Sequence, residues 1–86
     1  DIAELAGNDA LMLRANQYAQ DGQPLRALHL TEMVLARESD HREALQLAKQ
    51  ALEQLRDKAR AESMNTYEFD ILSMYIGQIE KQLENR

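Results

Sequence analysis

Cysteine and tryptophan are absent from this 86-residue chain, which also has only one proline and three glycines. Without cysteine, the protein can form neither disulfides nor thiolate metal sites. No apolar run approaches the roughly 18 residues that a membrane-spanning helix needs, so we expect no membrane span. His29 and His41 have no second histidine or carboxylate at the i+4 spacing that places two metal ligands on one helix face.

The motifs that usually mark catalysis or nucleic-acid binding are also missing. The sequence has no glycine-rich phosphate loop, no nucleophile elbow and no Cys/His pair, and its carboxylates are scattered. The net charge of −5 disfavours nucleic acid as a partner. The one basic cluster, Arg56, Lys58 and Arg60, suits the negative end of a helix dipole. We therefore expect no catalytic, cofactor-binding or metal-binding residues in this chain.

Helical periodicity is what the sequence does contain. Residues 10–52 form three apolar-periodic segments, and small residues recur where helices would approach closely, at Ala15, Ala27 and Ala44. This pattern is typical of a helical hairpin of the tetratricopeptide class, whose repeat is about 34 residues long. We predict an all-α fold of three to four antiparallel helices that begins with a tetratricopeptide-like hairpin.

Local signals place the ends of the first two helices. Asn8 or Asp9 is a good N-cap, because a short side-chain oxygen can accept from the free N–H groups of a first turn. Gly22 is expected to end the first helix with a positive φ angle. Pro24 is expected in the first turn of the second helix, where its missing N–H has no consequence.

The third helix should begin after Asp40, which forms a capping box with Glu43. Asn65 or Thr66 could cap a fourth helix, although a continuous bent helix through this region is the alternative. The sequence predicts an apolar face on the second helix at Leu25, Leu28, Met33, Val34 and Leu35. It predicts a buried set on the third helix at Ala44, Leu45, Leu47, Ala48, Ala51, Leu52, Leu55 and Ala59.

The last segment, residues 67–83, is apolar around more of its circumference than one neighbouring helix can cover. One set of apolar residues follows a spacing of three and four residues: Leu72, Tyr75, Ile79 and Leu83. The other apolar residues project from other sides of the same helix. Burying one set against the first three helices leaves the other for a partner. We predict an interface in this segment, formed by Phe69, Ile71, Leu72, Tyr75, Ile76, Ile79 and Leu83.

Several short motifs resemble the alkyl sulfatase dimerisation domain. They are the run of residues 4–11, Arg14-Ala15, the Asp21-Gly22 turn, Arg26-Ala27-Leu28-His29-Leu30, Asp40-His41-Arg42-Glu43-Ala44 and Ala61-Glu62-Ser63. Asn8 stands where that family has the second glycine of a Gly-Gly pair, and residues after Ser63 match the family only loosely. The resemblance implies a helical module that follows a metallo-β-lactamase-fold catalytic domain and dimerises.

These observations predict one helical domain over residues 1–86, with residues 1–8 as a lead-in or linker. Because the chain opens on Asp1 and not on methionine, we expect it to be a fragment of a longer protein. The resemblance implies that this longer protein is a bacterial hydrolase. The expected partners are a second copy of the chain and the catalytic domain of the same parent. The alternative is a tetratricopeptide-like adaptor that binds a peptide or another protein on the concave face of the hairpin.

Overall fold

Four α-helices make up the described part of the chain, in agreement with the predicted all-α fold. The computed structural model describes residues 7–62 and 66–84. The helices are α1 (Asn8–Gln20), α2 (Pro24–Arg37), α3 (Arg42–Ala61) and α4 (Thr66–Glu84). Most of the lead-in and the proposed cap at Asn65 lie outside the described residues.

The turn between α1 and α2 follows from Gly22 and Pro24. Gly22 has a φ angle of +73°, as predicted. Its N–H donates to the Ala19 carbonyl at 3.2 Å, and the next N–H donates to the Tyr18 carbonyl at 2.9 Å. These two hydrogen bonds form a Schellman motif, which satisfies carbonyls at the end of α1. Pro24 then occupies the first turn of α2, also as predicted.

The predicted N-caps of α1 and α3 are both displaced by one or two residues. Gly7 is the N-cap of α1, without a side-chain hydrogen bond, so neither Asn8 nor Asp9 has that role. His41 is the N-cap of α3, and its Nδ1 accepts from the Ala44 N–H at 3.1 Å. An imidazole can cap a helix because its unprotonated ring nitrogen is an acceptor, which removes the need for a carboxylate at residue 40.

The returning helix α4 packs antiparallel to α3. Near one end, Arg42 of α3 donates to the Leu83 carbonyl of α4, and Lys49 forms a 3.3 Å salt bridge with Glu80. At the other end, the Arg60 guanidinium lies 5.2 Å from the centroid of the Phe69 ring. α3 and α4 are therefore separate helices and not one bent helix.

Small residues allow the helices of the core to approach closely. Ala15, Ala27 and Ala44 are completely buried, as the sequence predicts. Around Ala15 and Ala44, a core cluster also contains Met12, Val34 and Leu47. The molecule measures 43 × 30 × 15 Å, so this core lies in a thin slab and each helix keeps a large part of its circumference near a surface.

The buried set predicted for α3 is confirmed except for Leu55, which is only half-buried. On α2 the prediction is partly wrong. Leu25 and Met33 are exposed, by 67% and 39%, and the buried positions include Thr31. The Thr31 hydroxyl donates to the Leu28 carbonyl at 2.7 Å, and this bond allows a polar residue to take a core position.

Candidate interaction surface

An apolar groove of about 440 Å³ runs between α2 and α4, with α3 as its floor. Four residues from α2, three from α3 and five from α4 form its walls. The lining residues are Leu25, Leu28, Glu32, Leu35, Ala48, Leu52, Leu55, Leu72, Tyr75, Gln78, Ile79 and Gln82. Among the described residues that form this lining, only Glu32 is charged, so the groove favours an apolar occupant.

The contribution of α2 to this groove was not foreseen from the sequence. Leu25, Leu28 and Leu35 are spaced by three and seven residues, which is the spacing of one helix face. Periodicity alone could therefore have put them together, but it could not say whether another helix covers them. In the structure Leu25 remains 67% exposed at the rim of the groove.

The seven residues predicted as an interface on α4 divide into three groups. Ile76 is only 3% exposed within the chain, so it belongs to the core and is not available to a partner. Leu72, Tyr75 and Ile79 line the groove, where Tyr75 is 48% exposed. The remaining three, Phe69, Ile71 and Leu83, are half-buried.

Ile76 was predicted as an interface residue because the apolar arc of α4 is too wide for periodicity to give one inward direction. At 100° per residue, Ile76 lies about 140° from Ile71 around the helix. In the structure, the Ile76 side chain faces the core.

A second exposed feature of α4, here called the outer stripe, consists of Asp70, Met74, Gly77 and Lys81. All four residues are exposed, and Met74 is 51% exposed. They share one side of the helix because their spacings are four, three and four residues. The stripe and the groove lie on different sides of α4.

The two histidines and the basic cluster are the remaining candidates for a chemical role. His41 uses its Nδ1 to cap α3, whereas His29 is exposed on α2. No group of three or more potential metal ligands occurs in residues 7–62 and 66–84. In the basic cluster, Arg60 contacts the Phe69 ring, while the half-buried Arg56 has no hydrogen-bond partner for its Nε.

A shallow cleft of about 530 Å³ lies beside the groove along α2 and shares Leu25, Leu28 and Glu32 with it. Its lining includes Tyr18, whose ring centroid is 5.7 Å from the guanidinium carbon of Arg26. With Arg26, His29 and Glu32 in its lining, this cleft is more polar than the groove.

None of the described helices has the length and apolarity required to cross a membrane. Comparisons with protein families, with curated proteins and with solved structures give no match. The arguments about function therefore depend on the surface of this chain and on the motifs in its sequence.

Proposed function

We propose that this chain is a non-catalytic self-association module, and that two copies bind each other through α4. The observation that carries this proposal is the excess of apolar side chains on α4. α3 covers Ile76, yet Met74 and Tyr75 remain about half exposed on the other sides of the same helix. Burial of such an exposed apolar face against a partner is favourable, because it removes apolar surface from water.

The magnitudes are compatible with a weak or moderate dimer. Complete burial of one large apolar side chain contributes about 1.5–3 kcal/mol, and several partly exposed ones are available. Association has an entropic cost of about 4–15 kcal/mol, so the surplus is small. A standard interface covers about 800 Å² per partner, roughly one-seventh of the 5945 Å² of accessible surface in this chain.

Two-fold symmetry is the simplest arrangement for such a pair, since a single self-complementary patch is sufficient. The resemblance to the alkyl sulfatase dimerisation domain supports the wider context of the proposal. In that context the chain joins two copies of a metallo-β-lactamase-fold hydrolase, whose catalytic domain is elsewhere in the parent and is a second partner for this module.

The second candidate function is an adaptor, and the groove between α2 and α4 favours it. An amphipathic helix can place its apolar face in a groove with apolar walls and a mostly uncharged rim. This alternative predicts a chain that is monomeric alone and that becomes saturated by one equivalent of a partner peptide.

Size-exclusion chromatography with light scattering on α4 variants tests the proposal. Met74→Lys places a charge on an exposed apolar position of α4 without touching the core, and we expect it to shift the population from dimer towards monomer. Gln50→Lys, at an exposed position of α3, is the matched control and should leave the dimer unchanged. If the unmodified chain and the Met74→Lys variant have the same mass in solution, the exposed face of α4 is not part of the interface.

A further inference from the structure

The outer stripe of α4 has a spacing that is the same in both directions along the helix. Asp70, Met74, Gly77 and Lys81 are separated by four, three and four residues, so the sequence of intervals is palindromic. The stripe begins with a negative charge and ends with a positive one. Among the described residues, neither the Asp70 side chain nor the Lys81 side chain makes a hydrogen bond or an ion pair.

We propose that two copies of α4 pair antiparallel along this stripe, with the two-fold axis passing between Met74 and Gly77. In this arrangement Asp70 of each copy lies opposite Lys81 of the other. Met74 of each copy lies over Gly77 of the other. The inference rests on the proposed self-association and specifies the face, the direction and the register of the pair.

Charge favours a second copy in this orientation. The chain carries a net charge of −5, so two copies repel each other unless their contact surfaces are neutral or complementary. The stripe contains one acidic and one basic residue and is neutral as a whole. Antiparallel pairing puts opposite charges together at both ends, whereas parallel pairing would put Asp70 against Asp70 and Lys81 against Lys81.

Gly77 provides an independent argument for close approach of another helix. Glycine in the interior of a helix is unfavourable because of its large conformational entropy in the unfolded chain. A Cβ atom at residue 77 would meet nothing within 4 Å, so no contact inside the chain requires glycine there. A second helix packed at about 8–10 Å would use the space above Gly77, and the exposed Met74 side chain of the second copy fits that position.

The length of the stripe suits a compact contact. From Asp70 to Lys81 the helix rises about 16 Å, so both ion pairs and both Met–Gly contacts fit within one pair of aligned helices. The groove on the other side of α4 is not occupied in this arrangement. Its lining therefore remains free for the catalytic domain or for another partner.

Charge reversal followed by sedimentation equilibrium tests the orientation and the register. Asp70→Lys alone and Lys81→Asp alone each replace two attractive contacts per dimer with two repulsive ones, and each should weaken dimerisation by about tenfold. The double variant, which exchanges the two charges, should restore the parent affinity. A dimer whose affinity is unchanged by either single reversal would overturn this pairing but leave self-association intact. If the unmodified chain is monomeric throughout the concentration range, both this pairing and the proposed self-association are overturned.

The lack of cysteine in the chain allows a second test by cross-linking. Disulfides require Cα atoms within about 7 Å, and in the proposed register residue 70 of one copy is that close to residue 81 of the other but about 16 Å from residue 70. A mixture of Asp70→Cys and Lys81→Cys chains should therefore form mixed disulfides under mild oxidation, and neither variant alone should cross-link. Efficient cross-linking of Asp70→Cys alone would contradict the register.

Gly77→Leu tests the close contact without damaging the fold. Because the Cβ position is open within the chain, this variant should keep its helical circular dichroism while its dimerisation becomes weaker. Equal dimer affinity for Gly77→Leu and the parent would exclude close packing at this residue.

Discussion

Arg42, in the first turn of α3, donates a hydrogen bond from its Nη1 to the carbonyl oxygen of Leu83, in the last turn of α4, over 3.0 Å. The two residues are 41 positions apart in the sequence. The last carbonyls of a helix have no partner inside it and carry the negative end of its dipole, so an arginine is well suited to them. This hydrogen bond holds the free end of α4 against α3.

Arg42→Ala should therefore lower the free energy of unfolding by about 0.5–1 kcal/mol and increase fraying at the end of α4. Amide hydrogen exchange of the last turn of α4 measures the fraying. Arg14→Ala, at an exposed position of α1, is the matched control and should have little effect on α4. If the last turn of α4 is equally protected from hydrogen exchange in both variants, the Arg42 hydrogen bond does not stabilise the end of α4.

Gly22→Val should destabilise the α1–α2 hairpin by about 1 kcal/mol or more, because a β-branched residue is strained at a φ angle of +73°. No atom lies within 4 Å of the Cβ position, so the effect comes from the backbone conformation and not from a clash. Gly22→Asn should retain more of the stability, since asparagine tolerates this conformation better. Thermal melts that are the same for Gly22→Val and the parent would contradict this account.

Ala27→Leu should destabilise the fold by about 1–3 kcal/mol through overpacking, because Ala27 has no exposed surface. Ala36→Leu adds the same side chain to an exposed position of the same helix and serves as the control. Urea denaturation of the two variants compares their stability directly. We expect a large loss for residue 27 and almost none for residue 36.

His41→Ala should reduce stability by about 0.5–2 kcal/mol, since it removes the acceptor for the Ala44 N–H at the start of α3. His41→Asn should recover most of this loss, because asparagine is a favoured N-cap. His29→Ala, at an exposed position of α2, controls for the loss of an imidazole. Recovery in the asparagine variant distinguishes capping from any packing role of the ring.

Structural features that depend on one or two residues could be predicted from the sequence. Gly22 and Pro24 were placed correctly, because positive φ and the first helical turn each have a strong local preference. Ala27 was correctly predicted as buried, because a small residue in the apolar stripe of a hairpin indicates close approach. These predictions needed no knowledge of the other helices.

Features that depend on several helices could not be derived from the sequence in the same way. The groove requires the relative positions of α2, α3 and α4, which periodicity does not contain. Ile76 was given the wrong direction, since an apolar arc as wide as that of α4 is compatible with more than one inward face. The cap of α3 was placed at Asp40 because carboxylates are commoner caps than the imidazole of His41.

Self-association of the chain is the central claim, and sedimentation equilibrium across the micromolar range tests it most directly. The account predicts that the average mass rises with concentration from the chain mass of 9.9 kDa towards twice that value and then levels off. The plateau at two chains identifies a closed, two-fold pair. A mass that stays at that of one chain at every concentration would contradict the proposal and favour the adaptor.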